Sequence, residues 1–461
     1  MKTNTTDLGK DKVSSLLLKL ALPAIVAQLV NVLYNIVDRI FIGRMANGEI
    51  AMAGVGVAFP IIMIVSAFSS LIGMGGAPLA SIKMGEKDDE AAEEILSNSF
   101  STLVIIGAIL TGIILIFQEP ILWAFGASET TIGYAKEYLG VYAIGTIAVQ
   151  IALGMNPFIN TQGFAKVGMM TVIIGAIINI VLDPIFIFGL NLGVTGAAIA
   201  TILAQAVSAI WVLIFLTGKN SKLKIRKEYL IPKWNIVKSI VSLGVSPFVM
   251  QSTESLVLIS LNNMLMLYGG DLAVSAMTIM SSIMQIITLP VMGLTQGAQP
   301  IISYNCGAKQ FDRVKEAFKL QFKLALIFTT ISWLALMLVP EVFVAIFNND
   351  PALMEITTWS IRIYFAGIFA FGAQIACQQT FLALGKAKIS LILAMLRKIV
   401  LLIPLIFILP NFTSDKLFGV LLAEPIADIL ASLTTVIVFT IFYRKNLVNA
   451  EKYIGKEIHE N

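Results

Sequence analysis

Twelve apolar runs, each long enough to cross a bilayer, follow one another along the chain: 13–40, 53–77, 95–117, 133–154, 167–189, 194–217, 238–264, 274–299, 317–340, 355–378, 388–409 and 417–443. At about 1.5 Å rise per residue, roughly 20 residues cross the hydrocarbon core. In lipid the backbone must satisfy its own N–H and C=O groups, so runs of this length fold as helices. The expectation is an all-α membrane protein with twelve transmembrane helices. Composition agrees: 57% of residues are hydrophobic and 13% charged, against about 25% charged in a soluble domain. The first run begins after lysines and lacks a small-x-small site near its end, so it reads as a membrane helix rather than a cleavable leader. Pro23, Pro184, Pro247, Pro404 and Pro425 lie inside runs and are candidate kinks.

Charge placement sets the orientation. With the N-terminus inside, 27 of the 32 lysines and arginines fall on inner segments. Only Arg39, Arg44, Lys136, Arg362 and Lys416 fall outside. That bias predicts a multi-pass protein of a bacterial-type plasma membrane with both termini in the cytoplasm. The longest hydrophilic connector, Gly218–Lys238, carries Lys219, Lys222, Lys224, Arg226, Lys227 and Lys233. It reads as a solvated cytoplasmic linker near anionic lipid, and nothing in it supports a nucleic-acid partner. Cys306 and Cys377 form no motif, which argues against a disulfide framework. The single histidine, His459, sits in the polar tail. An intramembrane histidine relay, a haem and a histidine-bound metal are thereby excluded, and no cofactor is expected. No zinc-type cluster, GxSxG or phosphate loop points to an enzyme.

The chain also repeats itself. Gly75–Gly76–Ala77–Pro78…Ser81…Gly85…Lys87 matches Gly297–Ala298–Gln299–Pro300…Ser303…Gly307…Lys309 at an offset of 222. The same offset relates Gly163…Lys166 to Gly385…Lys388, and an offset of 223 relates Gly196…Ala200 to Gly419…Ala423. One period at separated places signals duplication. Six spans per half is an even number, so the halves point the same way, related by an axis along the membrane normal. The expected division is an N-lobe over 1–217, a basic linker over 218–237 and a C-lobe with its tail over 238–461. A monomer contains both lobes, and a repeat of this kind favours a transporter.

Inside the fifth run stand Asn179 and Asp183, four residues apart on one helical face and followed by Pro184. A charged residue at the bilayer centre costs about 2.5–3.5 kcal/mol on insertion scales, so such groups usually face a cavity or a partner. The first run ends Leu33–Tyr34–Asn35–Ile36–Val37–Asp38–Arg39. Together with Gly297–Ala298–Gln299–Pro300 and the six-plus-six topology, these motifs resemble the multidrug and toxic compound extrusion (MATE) family, in its DinF-like branch with the MepA-type exporters. The resemblance implies two lobes around a central cleft. It also implies export of organic cations or other amphipathic compounds in exchange for H+ or Na+, by alternating access. It assigns Asp38, Asn179, Asp183 and Thr201 to cation coupling, whether the ion is a proton or sodium held at those residues. Tyr34, Tyr138 and Asn156 match positions that line the N-lobe cavity, and Pro23 matches the bend point of the first helix. Gln162, Glu254 and Met284 complete the candidate cavity lining.

Two carboxylates in one low-dielectric cavity cannot both ionise cheaply, which favours proton uptake by one of them. A monovalent cation is the other neutraliser, and carboxylate, amide and hydroxyl oxygens are the hard ligands it needs. Structural alternatives stand beside each role. Asp183 could be a structural carboxylate bonded to Asn179 or to backbone freed by Pro184, Asp38 could be interfacial, and Thr201 could be a packing residue. In the second half, Arg397 is expected to pair with Glu424, Asp428 or Glu254. A second transporter reading is a flippase for lipid-linked precursors, which would be expected to have a more basic cavity.

Overall fold

The computed structural model describes residues 7–45, 47–347 and 350–448; the tail that holds His459 lies outside them. Among the described residues the chain is helical and has no strand. The first half runs through α1 (Val13–Gly43), α2 (Gly48–Gly85), α3 (Asp89–Ala124), α4 (Ile132–Ile144), α5 (Thr146–Thr161), α6 (Ala165–Pro184) and α7 (Gly193–Thr217). The second runs through α8 (Trp234–Gly307), α9 (Phe311–Leu338), α10 (Pro340–Ala345), α11 (Pro351–Tyr364), α12 (Ile368–Ala383), α13 (Ala387–Met395), α14 (Ile403–Ile408) and α15 (Lys416–Tyr443).

Nine of these helical stretches are long and apolar enough to cross a membrane. Two more spans are bent pairs, α4 with α5 at 60° and α11 with α12 at 49°. The 74 residues of α8 would reach about 110 Å, several bilayer cores. Gly270 interrupts them with φ 63° and ψ −161°, a conformation open to glycine and closed to most residues. Counting α8 as two spans gives the twelve expected. Of the prolines, Pro23, Pro247 and Pro425 lie within unbroken helix, whereas Pro184 precedes a π-helical turn, Ile185–Gly189, and Pro404 follows another, Leu396–Leu402.

The repeat is written into the backbone. Left-handed residues recur at the 222 offset: Lys87 (φ 61°) with Lys309 (φ 57°), and Gly163 (φ 90°) with Gly385 (φ 69°). Helix starts recur as well, Thr146 with Ile368 and Ala165 with Ala387. The halves meet along α2 and α8, where paired glycines allow backbone contact. A Cβ on Gly85 would strike the carbonyl oxygen of Tyr304, and one on Gly307 would strike that of Ile82. Those two contacts are each other's repeat images. Small residues at such crossings are what membrane helices use to pack closely.

Packing crosses the halves reciprocally. Leu8, Val13, Leu16, Leu17, Leu20 and Ala21 belong to the core built by the second half. Ile240, at the start of α8, belongs to the core of the first. The linker is not simply solvated. Leu223 and Ser221 are buried, and α3 holds the segment by side chains. Glu93 accepts from Lys224 N at 3.0 Å and from Arg226 Nε at 2.7 Å; Ser97 Oγ accepts from Arg226 N at 2.9 Å; Asn98 Oδ1 accepts from Lys233 N at 2.6 Å. Tyr229 donates to Glu90 at 2.8 Å, and that carboxylate pushes the phenol up to about 12. The sequence-based charge count also needs correction. Arg397 and Lys398 belong to no inner segment: both lie in the π-helical turn within the eleventh span, and Lys398 is buried.

Candidate functional site

The fifth span, α6, carries Asn179 and Asp183 one turn apart, so both side chains point to one face. Asn179 Nδ2 donates to Asp183 Oδ1 at 3.2 Å and reaches Thr201 Oγ1 on α7 at 3.4 Å. Asp38 comes from α1, and its carboxyl lies beside that of Asp183. Asp183 is 0% exposed, Asn179 1% and Asp38 9%. Tyr138, buried on α4, faces Thr201 and stacks with Tyr142 at a ring distance of 6.4 Å. Tyr34, half-buried on α1, lies beside Asn35 and Gln205.

Three oxygens here, Asp38 Oδ1, Asn179 Oδ1 and Asp183 Oδ2, are buried and have no hydrogen-bond partner. A buried polar group left unpaired costs about 1–3 kcal/mol, and more when it is charged. Arg39, adjacent in sequence, has its guanidinium 4.8 Å from the centre of the Phe59 ring. The site therefore gathers acceptors that a proton or a monovalent cation would satisfy. The donor set of two carboxylates, an amide and a hydroxyl suits either.

The other expected lining residues are more dispersed. Asn156 on α5 donates to Gly168 O on α6 at 3.2 Å, tying those spans together. Met284 packs against the core of the second half. Gln162 is a correction. It is fully buried, and its Oε1 accepts from Ser221 Oγ, Lys222 N and Leu223 N at 2.8–2.9 Å, while its Nε2 donates to Phe158 O at 3.0 Å. All its bonds go to the linker and its own helix, so it anchors the linker and lines no cavity. Pro23 is buried within continuous helix.

In the second half Arg397 donates to Asp428 at 2.7 Å and Glu424 at 2.8 Å, and its guanidinium lies 4.8 Å from the centre of the Phe371 ring. Glu254 pairs instead with Lys398, which also donates to Met250 O at 2.7 Å. Lys398, Tyr142 and Gln205 escaped the sequence analysis. Tyr142 and Gln205 stand four residues after Tyr138 and Thr201, so helical spacing from a candidate site residue would have found them.

A duplicated twelve-span bundle with a buried acidic site in one half defines a polytopic membrane carrier of the two-lobe helical class. The chain belongs to the MatE family, whose model matches it twice, over residues 23–185 and again over 247–408. It is similar to the multidrug export protein MepA of Staphylococcus haemolyticus, 26% identical over 434 residues that cover 94% of each chain. Among solved structures, it is 37% identical to the MATE multidrug transporter DinF-BH, solved as a ligand complex; the match has a TM-score of 0.88 and covers 97% of this chain and 99% of that one. It also shares its fold with a MOP superfamily transporter from Pyrococcus furiosus, described as having reverse polarity of its binding pocket, at a TM-score of 0.88, 23% identity, and coverage of 96% and 98%. That likeness is one of fold alone, and the side chains of this chain must decide what it handles.

Proposed function

We propose that this chain is a secondary active multidrug exporter that expels organic cations or other amphipathic compounds in exchange for H+ or Na+. The reading rests on family membership, on a multidrug export protein and a ligand-bound multidrug transporter among its relatives, and on one feature of its own. That feature is the Asp38–Asp183 pair with Asn179 beside it, which together hold three unpartnered buried oxygens. Neutralising the pair by a proton or sodium stabilises the state in which the carboxylates are most enclosed. Releasing the ion favours the other state and frees negative charge for a cationic substrate. Moving a two-state ratio from 1:99 to 99:1 takes about 5.5 kcal/mol of differential binding, and neutralising buried charge acts on that scale. Pro23 leaves the Lys19 carbonyl without its helical donor, so α1, which carries Asp38, can bend there. The working unit is a monomer in the bacterial plasma membrane, with its termini cytoplasmic. A pyrophosphate-handling flippase would require cations where this site presents carboxylates. The test is efflux of a fluorescent organic cation from proteoliposomes under an imposed pH or sodium gradient. Wild-type protein is expected to move the cation only with a gradient, and Asp183→Asn to abolish that dependence. Full gradient-driven efflux by Asp183→Asn would sink the coupling assignment.

A further inference from the structure

A cavity of about 670 Å3 lies in the second half, between α9, α12 and α15. Phe318, Phe322 and Phe439 wall it, and Cys377, 1% exposed, closes its floor. The Phe318 and Phe439 ring centroids are 4.3 Å apart. Lys319 and Arg444, both exposed, stand at the rim. The outer faces of α9 and α15 away from this rim expose Ile327, Ile331, Leu338, Leu433, Ile437 and Ile441, which is the composition of a surface in contact with acyl chains. The cavity is thus a lateral opening with an aromatic interior and a cationic rim at one end of the bundle.

We propose that this cavity binds an anionic phospholipid, with an acyl chain against the phenylalanines and the phosphodiester between Lys319 and Arg444. Three observations select that ligand. The rim is positive, which disfavours the organic cations assigned to the transport site. Lys323 lies one turn deeper than Lys319 on the same face of α9 and is exposed; a lysine there extends along the apolar wall toward a headgroup. Lys386 lies 5.8 Å from the centre of the Phe442 ring and adds a fourth cation at that end. Of the acids close by, Asp312 is paired with Lys315 at 3.1 Å and Glu316 is exposed, so the basic excess remains. Basic pockets between spans at the membrane surface are known to hold anionic headgroups. With the termini in the cytoplasm, as proposed above, the lipid belongs to the inner leaflet; the site itself does not depend on that orientation or on the coupling assignment.

The test uses delipidated full-length protein in detergent, titrated with dioleoylphosphatidylglycerol, dioleoylphosphatidylcholine or sodium phosphate, and read by native mass spectrometry and thermal shift. Phosphatidylglycerol is expected to bind and stabilise, and phosphatidylcholine to bind about tenfold more weakly. The double variant Lys319→Gln/Arg444→Gln, altered only at exposed positions, is expected to lose that preference while keeping the wild-type melting point without lipid. Val436→Trp, which fills the cavity, should weaken both lipids. Equal binding of the two lipids, or an unchanged preference in the double variant, overturns the proposal. So does displacement of phosphatidylglycerol by sodium phosphate, which would mark a free-anion site, or by a fluorescent organic cation, which would mark a drug portal.

Discussion

Replacing Arg397 with methionine tests what the buried charges of the second half do. The guanidinium makes two charge-assisted hydrogen bonds of 2.7 and 2.8 Å, to Asp428 and Glu424. The three side chains are 11%, 2% and 5% exposed. Removing one partner of a buried pair costs about 3–5 kcal/mol, because the charge left behind has no solvent. Here two carboxylates are left behind, and the contact with Phe371 is lost as well, itself worth up to about 2 kcal/mol when desolvated. Arg397→Met should therefore lose about 5 kcal/mol, which for a chain of 461 residues corresponds to a fall in Tm of about 5 °C. The triple variant Arg397→Met/Glu424→Gln/Asp428→Asn carries no buried charge at these positions. Exchanging a whole buried ion network for neutral groups is often close to neutral, so the triple should regain most of the lost stability. The assay is thermal unfolding in detergent, paired with gradient-driven efflux in proteoliposomes. Efflux by the triple is expected to survive, because coupling is assigned to Asp38 and Asp183. A single variant that melts with the wild type, or a triple that stays as low as the single, would refute the electrostatic reasoning.

Three further outcomes follow from named contacts. Asn179→Leu removes one oxygen and one donor from the acidic site, worth about 1–1.5 kcal/mol; the coupling ion should bind about tenfold more weakly, measured as the ion concentration at half-maximal efflux. Gly244→Ala drives a methyl into the Leu71 carbonyl at the α2–α8 contact; overpacking there should cost about 1–3 kcal/mol, read as a lower melting point in detergent, and an unchanged one would dismiss the close approach. Gln162→Ala removes the acceptor of three bonds to the linker; hydrogen exchange at Lys222 and Leu223 should speed up while α3 stays protected, and unchanged protection would show that the linker is held by other means.

The span pattern was legible because a bilayer imposes a length and an apolar composition on every crossing, and the twelve runs coincide with helices or bent pairs. The repeat was legible because glycines at backbone crossings leave no room for substitution, as at Gly85 and Gly307. Asn179 and Asp183 could be paired because an acid in an apolar run is conspicuous and helical spacing supplies its neighbour; Asp38 and Thr201 joined them only through the family resemblance. Gln162 misled because its partners lie some 60 residues away, in a linker whose lysines suggest solvent. Lys398 was invisible for a related reason. Lys398 stands in the middle of the run 388–409 but was counted with the inner-segment charges, and only packing shows that it pairs with Glu254. Sequence periodicity reports which face a residue takes, and long-range pairing lies beyond it.

The offset that relates the halves also relates their polar centres. Shifted by 222, Tyr142 falls on Tyr364; shifted by 223, Thr201 and Gln205 fall on Glu424 and Asp428. Both halves thus place polar side chains at the same two turns of their sixth span, facing their fifth. In the first half the fifth span answers with Asn179 and Asp183, and the sixth is uncharged. In the second half the acids have moved to the sixth span, and Arg397, equivalent to Gly175, fills the space between. Asp183 itself has Leu405 as its counterpart. The second centre therefore carries a covalently tethered cation between its acids. A tethered guanidinium stays protonated in proteins and cannot leave, so that centre cannot load and unload with the gradient. On the coupling proposed above, exchange is expected in the half whose acids, Asp38 and Asp183, have no tethered cation between them.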